Sequence, residues 1–179
     1  RYCMECHGNP GLTRTVDGKV DSLFVDPSKL LVSAHAANTP CVQCHAGIDI
    51  RQTPVCRDSG PVDCSICHAE QVVQHQNSTH GRAVAEGDPN APDCLDCHGT
   101  HEIRRSDDLS SPIFARNIPQ LCGRACHREG QPVADRIQLG RDNPVTSYEM
   151  SIHGKGLRDS GLLVTATCTS CHSAHGVLP

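Results

Sequence analysis

The sequence predicts a mostly irregular fold with short α-helices and little or no β-structure, organised around something other than a polypeptide core. Leu, Ile, Val and Phe together number 36 of 179 residues, which is near the level at which chains begin to be disordered. The chain also has no Trp, 15 Gly and 12 Pro. Such a composition buries too little apolar surface to offset the entropy lost on folding, so a further apolar component is expected.

Twelve of the thirteen cysteines lie in pairs, and a histidine directly follows the second cysteine of each pair. Five pairs have the form Cys-x-x-Cys-His, and the sixth, CGRACH at 122–127, has one more residue between its cysteines. This pattern is typical of c-type haem attachment, in which both thiols bond to the porphyrin and the histidine is the proximal iron ligand. The predicted attachment residues are Cys3, Cys6, Cys41, Cys44, Cys64, Cys67, Cys94, Cys97, Cys122, Cys126, Cys168 and Cys171. Six stacked, covalently bound haems c would then form the centre of the fold.

Other uses of paired cysteines fit the pattern less well. A zinc ribbon needs Cys-x-x-Cys units about 15–20 residues apart and gives no role to a histidine after every second cysteine. A thioredoxin-like dithiol needs a single pair on an α/β frame, and no such frame is visible. A disulfide scaffold leaves the histidines unexplained. The unpaired Cys56 is interpreted as an unreactive thiol, with an intermolecular disulfide as the alternative.

The twelve histidines divide into two equal sets. The first set follows the cysteine pairs and supplies the predicted proximal ligands: His7, His45, His68, His98, His127 and His172. The second set is spare: His35, His75, His80, His101, His153 and His175. One spare histidine per haem predicts bis-histidine, low-spin iron throughout, with Met150 as the main rival ligand. The competing interpretation is that one or two spare histidines are ordinary surface residues.

The surroundings of the spare histidines indicate an internal repeat. A Ser-x-His segment precedes a cysteine pair at 33–35, 78–80 and 151–153, and His101 and His175 each lie three residues after a proximal histidine. The predicted copies are 33–68, 78–127 and a partial 151–179, within one cytochrome domain over 1–179. The partial copy predicts that the chain belongs to a longer haem array. His175, held close behind its own site, is expected to cap a neighbouring haem of this chain.

Capping signals predict the first helices. Asp26-Pro27 combines an N-cap with proline at the first helical position, which predicts a helix over 27–37 that delivers His35. Residues 65–76 are good helix formers and follow the start of a cysteine pair. A hairpin over 12–25, turning at Asp17-Gly18, is the single place that favours strands.

The second half of the chain is expected to have fewer helices. A short helix is predicted over 119–128, around the wide cysteine pair. Ser147 is predicted to cap a helix that carries His153 and frays at Gly154 and Gly156. Stretches rich in Pro, Asp, Arg and Asn are predicted to be surface loops, and they are 86–93, 104–119 and 128–146.

Charge and chemistry limit the environment and the partners. The polypeptide has a net charge of -4, and six ferric haems with their propionates would bring it to roughly -10. This argues against nucleic acid and against an acidic membrane surface, and it favours a redox partner with a basic patch. Haem attachment to thiols occurs outside the cytoplasm, which predicts a periplasmic or extracellular prokaryotic protein. The chain has no apolar run of membrane-spanning length.

The stretches STHGRAVAEGDPNAPDCLDCHGTH and SIHGKGLRDSGLLVTATCTSCHSAHG resemble multihaem c-type cytochromes of anaerobic respirers, which have doubled Cys-x-x-Cys-His motifs. The resemblance covers about 78–176 well and 33–68 more loosely, and the sequence departs from the pattern at the three-residue gap of CGRACH. It implies that His80, His153, His101 and His175 are distal ligands. Family members include soluble periplasmic shuttles, domains beside membrane quinol-oxidising cytochromes and subunits of extracellular haem filaments.

Two functions remain. A bis-histidine haem has no open coordination position and a low potential, so the first function is electron transfer without enzyme activity. Its partners would be a membrane quinol-oxidising cytochrome, a terminal reductase or other copies of the chain in a haem wire. The alternative is a multihaem reductase of nitrite or hydroxylamine, which needs one haem with a free face and an acid/base group over it. Electron transfer is favoured because all six predicted attachment sites end in histidine and a spare histidine exists for each.

Overall fold

The computed structural model describes residues 2–37, 39–49, 51, 60–137 and 143–178, and the chain forms two compact units. One unit comprises Arg1–Ile66 with Thr100–Arg104, and the other comprises Cys67–Gly99 with Arg105–Pro179. In both units the described residues are helical or irregular with little strand, which confirms the coarse fold class. The single cytochrome domain over 1–179 stays a prediction.

The first unit contains the predicted hairpin. Its elements are α1 (Tyr2–His7), β1 (Thr13–Val16), β2 (Lys19–Ser22), α2 (Pro27–Leu31) and α3 (Cys41–Cys44). The two strands are antiparallel, with Thr13 opposite Ser22 and Val16 opposite Lys19. The turn between them has positive φ angles at Asp17 (50°) and Gly18 (78°), as a two-residue type I′ turn requires.

Helix α2 is shorter than the sequence predicts. It begins as expected, with the Asp26 side chain capping its first turn. It ends at Leu31, whereas the prediction extends it to residue 37. The Ala34 N–H donates to the Ile103 carbonyl oxygen at 2.7 Å, so this N–H does not join the helical ladder. As a result, His35 lies in the turns that follow the helix and not on the helix itself.

Short helices dominate the rest of the chain. They are α4 (Ser65–Gln76), α5 (Thr79–Ala85), α6 (Cys94–His98), a 3₁₀ turn (Ala115–Asn117), α7 (Ile118–Cys122), a π-helical turn (Gly123–His127), α8 (Pro132–Ile137), α9 (Pro144–Met150), α10 (Ile152–Asp159) and α11 (Cys168–His172). The predicted helices over 65–76 and around the wide cysteine pair are confirmed, and 86–93 is the predicted loop. Within the described ranges no helix is long and apolar enough to cross a bilayer.

Two loop predictions need correction. The stretch 128–146 contains α8 and the start of α9, and 104–119 contains the 3₁₀ turn and the start of α7. The Asn143 side chain caps α9 in front of a proline, which is the same signal that predicts α2. Ser147 therefore lies inside α9, and Ser151 caps α10, the helix that carries His153.

The junction between α4 and α5 has the same form as the junction between α9 and α10. Ser78 Oγ accepts a hydrogen bond from the Gly81 N–H at 3.0 Å, and Ser151 Oγ accepts one from the Gly154 N–H at 3.1 Å. Both glycines are buried, and a Cβ on either would overlap a carbonyl oxygen of the preceding helix. Gly154 and Gly156 therefore lie inside α10 and do not fray its end, contrary to the prediction.

Only a small part of the chain is buried. The buried apolar side chains among the described residues are Phe114, Ile118, Val133, Val145 and Leu157, all in the second unit. Some large apolar side chains are almost fully exposed, such as Val164 at 96%. The polypeptide alone thus has a small core, as its composition predicts.

Candidate functional site

Each cysteine pair lies on a short helical turn. Both cysteines of a pair lie in α1, α3, α6 and α11, Cys64 directly precedes α4, and the wide pair spans α7 and the π-helical turn. Residues three apart in a helix are neighbours one turn apart, so both thiols of a Cys-x-x-Cys pair are presented on one side. The following histidine closes the same turn. In α4 the backbone bends at this histidine, His68, which has φ -118° and ψ 43°.

A hydrogen bond across the pair shapes two of these turns. The Asp93 N–H donates to Asp96 Oδ2 at 2.7 Å before α6, and the Thr167 N–H donates to Ser170 Oγ at 3.0 Å before α11. In both turns a residue directly before the first cysteine bonds to the residue directly before the second. The sequence carries this signal as D-C-x-D-C-H and T-C-x-S-C-H, which the sequence analysis did not use.

The wide cysteine pair is accommodated by a change of helix type. After Cys122 the α-helix becomes a π-helical turn, in which the Arg128 N–H donates to the Gly123 carbonyl oxygen five residues back, at 3.1 Å. A π-helix has more residues per turn than an α-helix, so the turn absorbs the additional residue. Cys122 and Cys126 are thereby kept on one continuous helical segment, as are both cysteines of the pairs in α1, α3, α6 and α11.

Three of the predicted proximal histidines lie next to three spare ones. The ring centres are 6.3 Å apart for His45 and His101 in the first unit, and 6.1 Å for His80 and His127 and 6.0 Å for His98 and His175 in the second. The ring planes make angles of 32°, 35° and 11° in the same order. Each pair joins one histidine of a cysteine motif to one spare histidine, a pairing that the sequence analysis could not assign.

The separations in these pairs suit two imidazoles on opposite faces of one haem iron. A metal–imidazole bond is about 2 Å long and the ring centre lies about 1 Å beyond the nitrogen, so two such ligands have ring centres about 6 Å apart. A porphyrin provides the other four ligands of its iron. Among the residues that the structure describes, no three His, Cys, Asp or Glu side chains form a group that could hold a metal ion by themselves. Two imidazoles at the separation seen here would leave the other four positions of an iron to such a macrocycle.

Two other predicted proximal histidines are oriented by backbone carbonyls. His7 Nδ1 lies 2.8 Å from the Leu23 carbonyl oxygen, and His172 Nδ1 lies 3.1 Å from the Leu178 carbonyl oxygen. A carbonyl oxygen only accepts hydrogen bonds, so Nδ1 must carry the proton in both rings. The lone pair is then on Nε2, which is the arrangement of a metal-binding histidine held by a second shell.

Burial favours the neutral form of the paired histidines. Burial is the main cause that lowers the pKa of His80, His98 and His127, and neighbouring imidazoles lower it further. The pKa values of His101 and His175 are lowered in the same way. A neutral imidazole is the form that binds a metal, so these five side chains are disposed to act as ligands near neutral pH.

Thiols of different motifs also meet within each unit. In the second unit, a hydrogen bond between Cys122 and Cys168, together with burial, raises the pKa of the Cys122 thiol, and the same bond lowers the pKa of Cys168 to about 7. In the first unit, burial and the neighbouring Cys41 raise the pKa of Cys3. Groups attached at these thiols would therefore be close neighbours.

The remaining spare histidines have different surroundings. His75 Nε2 lies 3.1 Å from the Pro92 carbonyl oxygen and must donate to it, so Nδ1 is the nitrogen left for a metal. His153 is exposed on α10, with its Nδ1 3.4 Å from Thr165 Oγ1. The backbone N–H of His35 donates to Ser33 Oγ at 3.3 Å.

Two further residues complete the set of candidates. Met150, the rival axial ligand, is the last residue of α9 and is exposed. Cys56 lies outside the described residues, so both interpretations of this thiol stay predictions.

Comparison of the chain with protein-family models, with curated proteins and with solved structures found no significant match.

Proposed function

We propose that the chain is a hexahaem c-type cytochrome that carries electrons along closely packed, low-potential bis-histidine haems in anaerobic respiration or extracellular electron transfer. The observation that carries the proposal is the set of three histidine pairs with ring centres 6.0 to 6.3 Å apart. In a zinc ribbon, a redox dithiol or a disulfide scaffold, a spare histidine would have no reason to face the histidine of a cysteine motif. Haem ligation gives each pair a role.

The chain's own residues would hold, orient and separate the cofactors. The twelve paired cysteines would form the thioether bonds, and the histidine after each pair would be the proximal ligand. His101, His175 and His80 would be distal ligands opposite His45, His98 and His127. When bound, the haems supply iron that changes between its ferric and ferrous states. With histidine on both faces, an iron has no position for a substrate.

Contacts between motifs support a relay of neighbouring haems. Cys122 and Cys168 are near enough in the second unit for each thiol to shift the pKa of the other, and Cys3 and Cys41 are similarly near in the first. His175 lies three residues after His172 and yet pairs with His98, so one short segment would serve two haems. Each of these links brings two attachment sites together.

Location and partners follow from the same chemistry. Covalent attachment to thiols favours the periplasm or the extracellular space. The acidic polypeptide, at -4 before the propionates are counted, favours a redox partner with a basic docking patch or further copies of the chain in a haem wire.

Intact-mass analysis of the protein, matured in a host that attaches haem c, tests the proposal. We expect six haem additions, because the π-helical turn keeps the wide pair on a helical segment. Five additions would remove Cys122 and Cys126 from the set of attachment residues. A mature protein that carries metal ions or disulfides in place of haem would overturn the proposal.

A further inference from the structure

The same backbone hydrogen bond occurs in both units, between a Ser-x-His segment and a segment that follows a cysteine motif. In the first unit the Ala34 N–H donates to the Ile103 carbonyl oxygen at 2.7 Å. In the second unit the Thr79 N–H donates to the Val177 carbonyl oxygen at 2.8 Å. Each donor is the middle residue of Ser-x-His, and each acceptor lies two residues after a spare histidine that follows a motif. The two bonds are therefore equivalent by sequence position.

The acceptor segment of the second unit carries a histidine that pairs with a motif histidine. This segment, residues 173–178, is here called the return segment. It begins at Ser173 with φ 66° and ψ 163°, a conformation that is essentially restricted to glycine. Such a residue persists only where its surroundings fix the backbone. The fixed backbone of the return segment brings the His175 ring to 6.0 Å from that of His98.

Two carbonyl oxygens hold the return segment in place. The Leu178 oxygen lies 3.1 Å from His172 Nδ1, and the Val177 oxygen accepts the bond from Thr79. The first contact ties the segment to the motif that it follows, and the second ties it to α5. Helix α5 carries His80, which is itself a member of a histidine pair. The Thr79 N–H thus links two histidine pairs of the second unit.

The place of Thr79 in its helix makes the N–H available for this bond. Thr79 is the first residue of α5, and an N–H in the first turn of a helix has no partner within that helix. The equivalent N–H after the Ser151 cap belongs to Ile152, and among the described residues it makes no bond of this kind. The bond at Thr79 is therefore not a general property of the Ser-x-His junction, and it depends on the return segment.

We propose that the backbone N–H of the middle residue of Ser-x-His positions the distal histidine that follows a cysteine motif, by binding the carbonyl oxygen two residues after that histidine. The Thr79 N–H positions His175 in this way, and the Ala34 N–H positions His101. Both are positioning residues, since they act through the return of the backbone and not on an iron. The inference rests on the proposed function and adds to it the contact that selects which segments meet.

Thr79→Pro removes the donor and suits the local backbone. Proline is favoured at the first helical position and has no N–H. The preceding Ser78 has φ -77° and ψ 169°, the extended conformation that a residue before proline adopts. Thr79→Ala is the matched control, because it removes the same exposed side chain and keeps the N–H.

The first measurement is the rate at which carbon monoxide binds to the reduced, haem-loaded chain, because it enters only when a distal histidine leaves its iron. We expect Thr79→Pro to raise this rate about fivefold at one haem, the effect of one lost hydrogen bond, and Thr79→Ala to leave it unchanged. An unchanged rate in Thr79→Pro overturns the inference, and so does an equal rise in Thr79→Ala. The haem count of the unsubstituted chain by mass tests the proposed function separately.

The His175→Ala background identifies the histidine through which the proline acts. In this background the iron served by His175 has already lost its ligand, so Thr79→Pro should accelerate carbon monoxide binding at no further haem. Acceleration at a second haem would show that the proline acts through His80, and it would overturn the inference.

Hydrogen exchange resolved to single amides tests the bond without a substitution. Thr79 and Ile152 are both the first residue of a helix after a serine cap, and the structure gives a carbonyl partner to the N–H of Thr79. In the reduced, haem-loaded protein the Thr79 amide should exchange about tenfold more slowly than the Ile152 amide, after correction for neighbouring side chains. Equal exchange at the two amides overturns the inference even if Thr79→Pro fails to fold.

Discussion

In the proposed hexahaem protein, replacement of His175 by alanine is expected to convert one haem, and only one, from low-spin to high-spin iron. The His175 ring lies 6.0 Å from that of His98, so the variant would remove the distal ligand of the haem that we propose at Cys94 and Cys97. Roughly one sixth of the haem should become high-spin in magnetic resonance and bind added carbon monoxide once reduced. His175→Met should restore low-spin iron at a higher potential, because a Met/His pair raises the potential of a haem.

A double variant identifies the iron concerned. If His175 serves the haem at Cys94 and Cys97, the high-spin signal of His175→Ala should vanish when both cysteines are changed to serine, because the iron that gave the signal is no longer attached. If the signal persists, His175 serves another haem, and the assignment from ring geometry is wrong. The control for loss of attachment is the Cys94→Ser/Cys97→Ser variant that retains His175, which should carry five haems by mass.

Local signals in the sequence predict much of this fold because they act over a few residues. The Asp26 cap, the Asp17-Gly18 turn and the helix over 65–76 each depend on neighbours within one turn, and the structure confirms all three. The missed helix α9 has a signal of the same kind, at Asn143 and Pro144. Elements set by distant contacts were harder to predict. Helix α2 ends at Leu31, and the Ala34 N–H donates to the Ile103 carbonyl oxygen, which lies 69 residues away in the chain.

The same distinction applies to the candidate site. The two cysteines and the adjacent histidine of a motif lie within a few consecutive residues, so the attachment turns can be predicted without knowing the fold. The pairing of a proximal with a spare histidine depends on where separate segments meet, as His45 and His101 do, and no local pattern encodes it. The two glycines after Ser-x-His show the limit of local reasoning. In a sequence, glycine usually indicates the end of a helix. Gly81 and Gly154 instead lie inside helices, and they must be glycine because the backbone of the preceding helix leaves no room for a Cβ.

The second large effect is expected from a methyl group at Gly154. A Cβ there would overlap the Tyr148 carbonyl oxygen and lie 2.8 Å from Glu149 Cα, both of which are backbone atoms that cannot rotate away. Gly154→Ala should therefore force α10 away from α9 and lower the free energy of unfolding by about 2–3 kcal/mol, the upper range for overpacking. Chemical denaturation of the haem-loaded protein, followed by far-ultraviolet circular dichroism, measures the change.

Gly156→Ala is the matched control, because it adds the same methyl group to the same helix two residues later. The nearest atoms to a Cβ at Gly156 are Thr165 Oγ1 at 3.6 Å and Leu162 Cδ1 at 3.8 Å, which are ordinary contacts. Alanine also favours a helix interior over glycine, so this variant should be as stable as the unsubstituted protein or up to about 1 kcal/mol more stable. A lower free energy of unfolding in Gly154→Ala, with an unchanged or higher one in Gly156→Ala, would identify the contact with α9 as the cause. If Gly154→Ala instead raised stability as Gly156→Ala should, the close approach of α9 could not be the reason for glycine at this position.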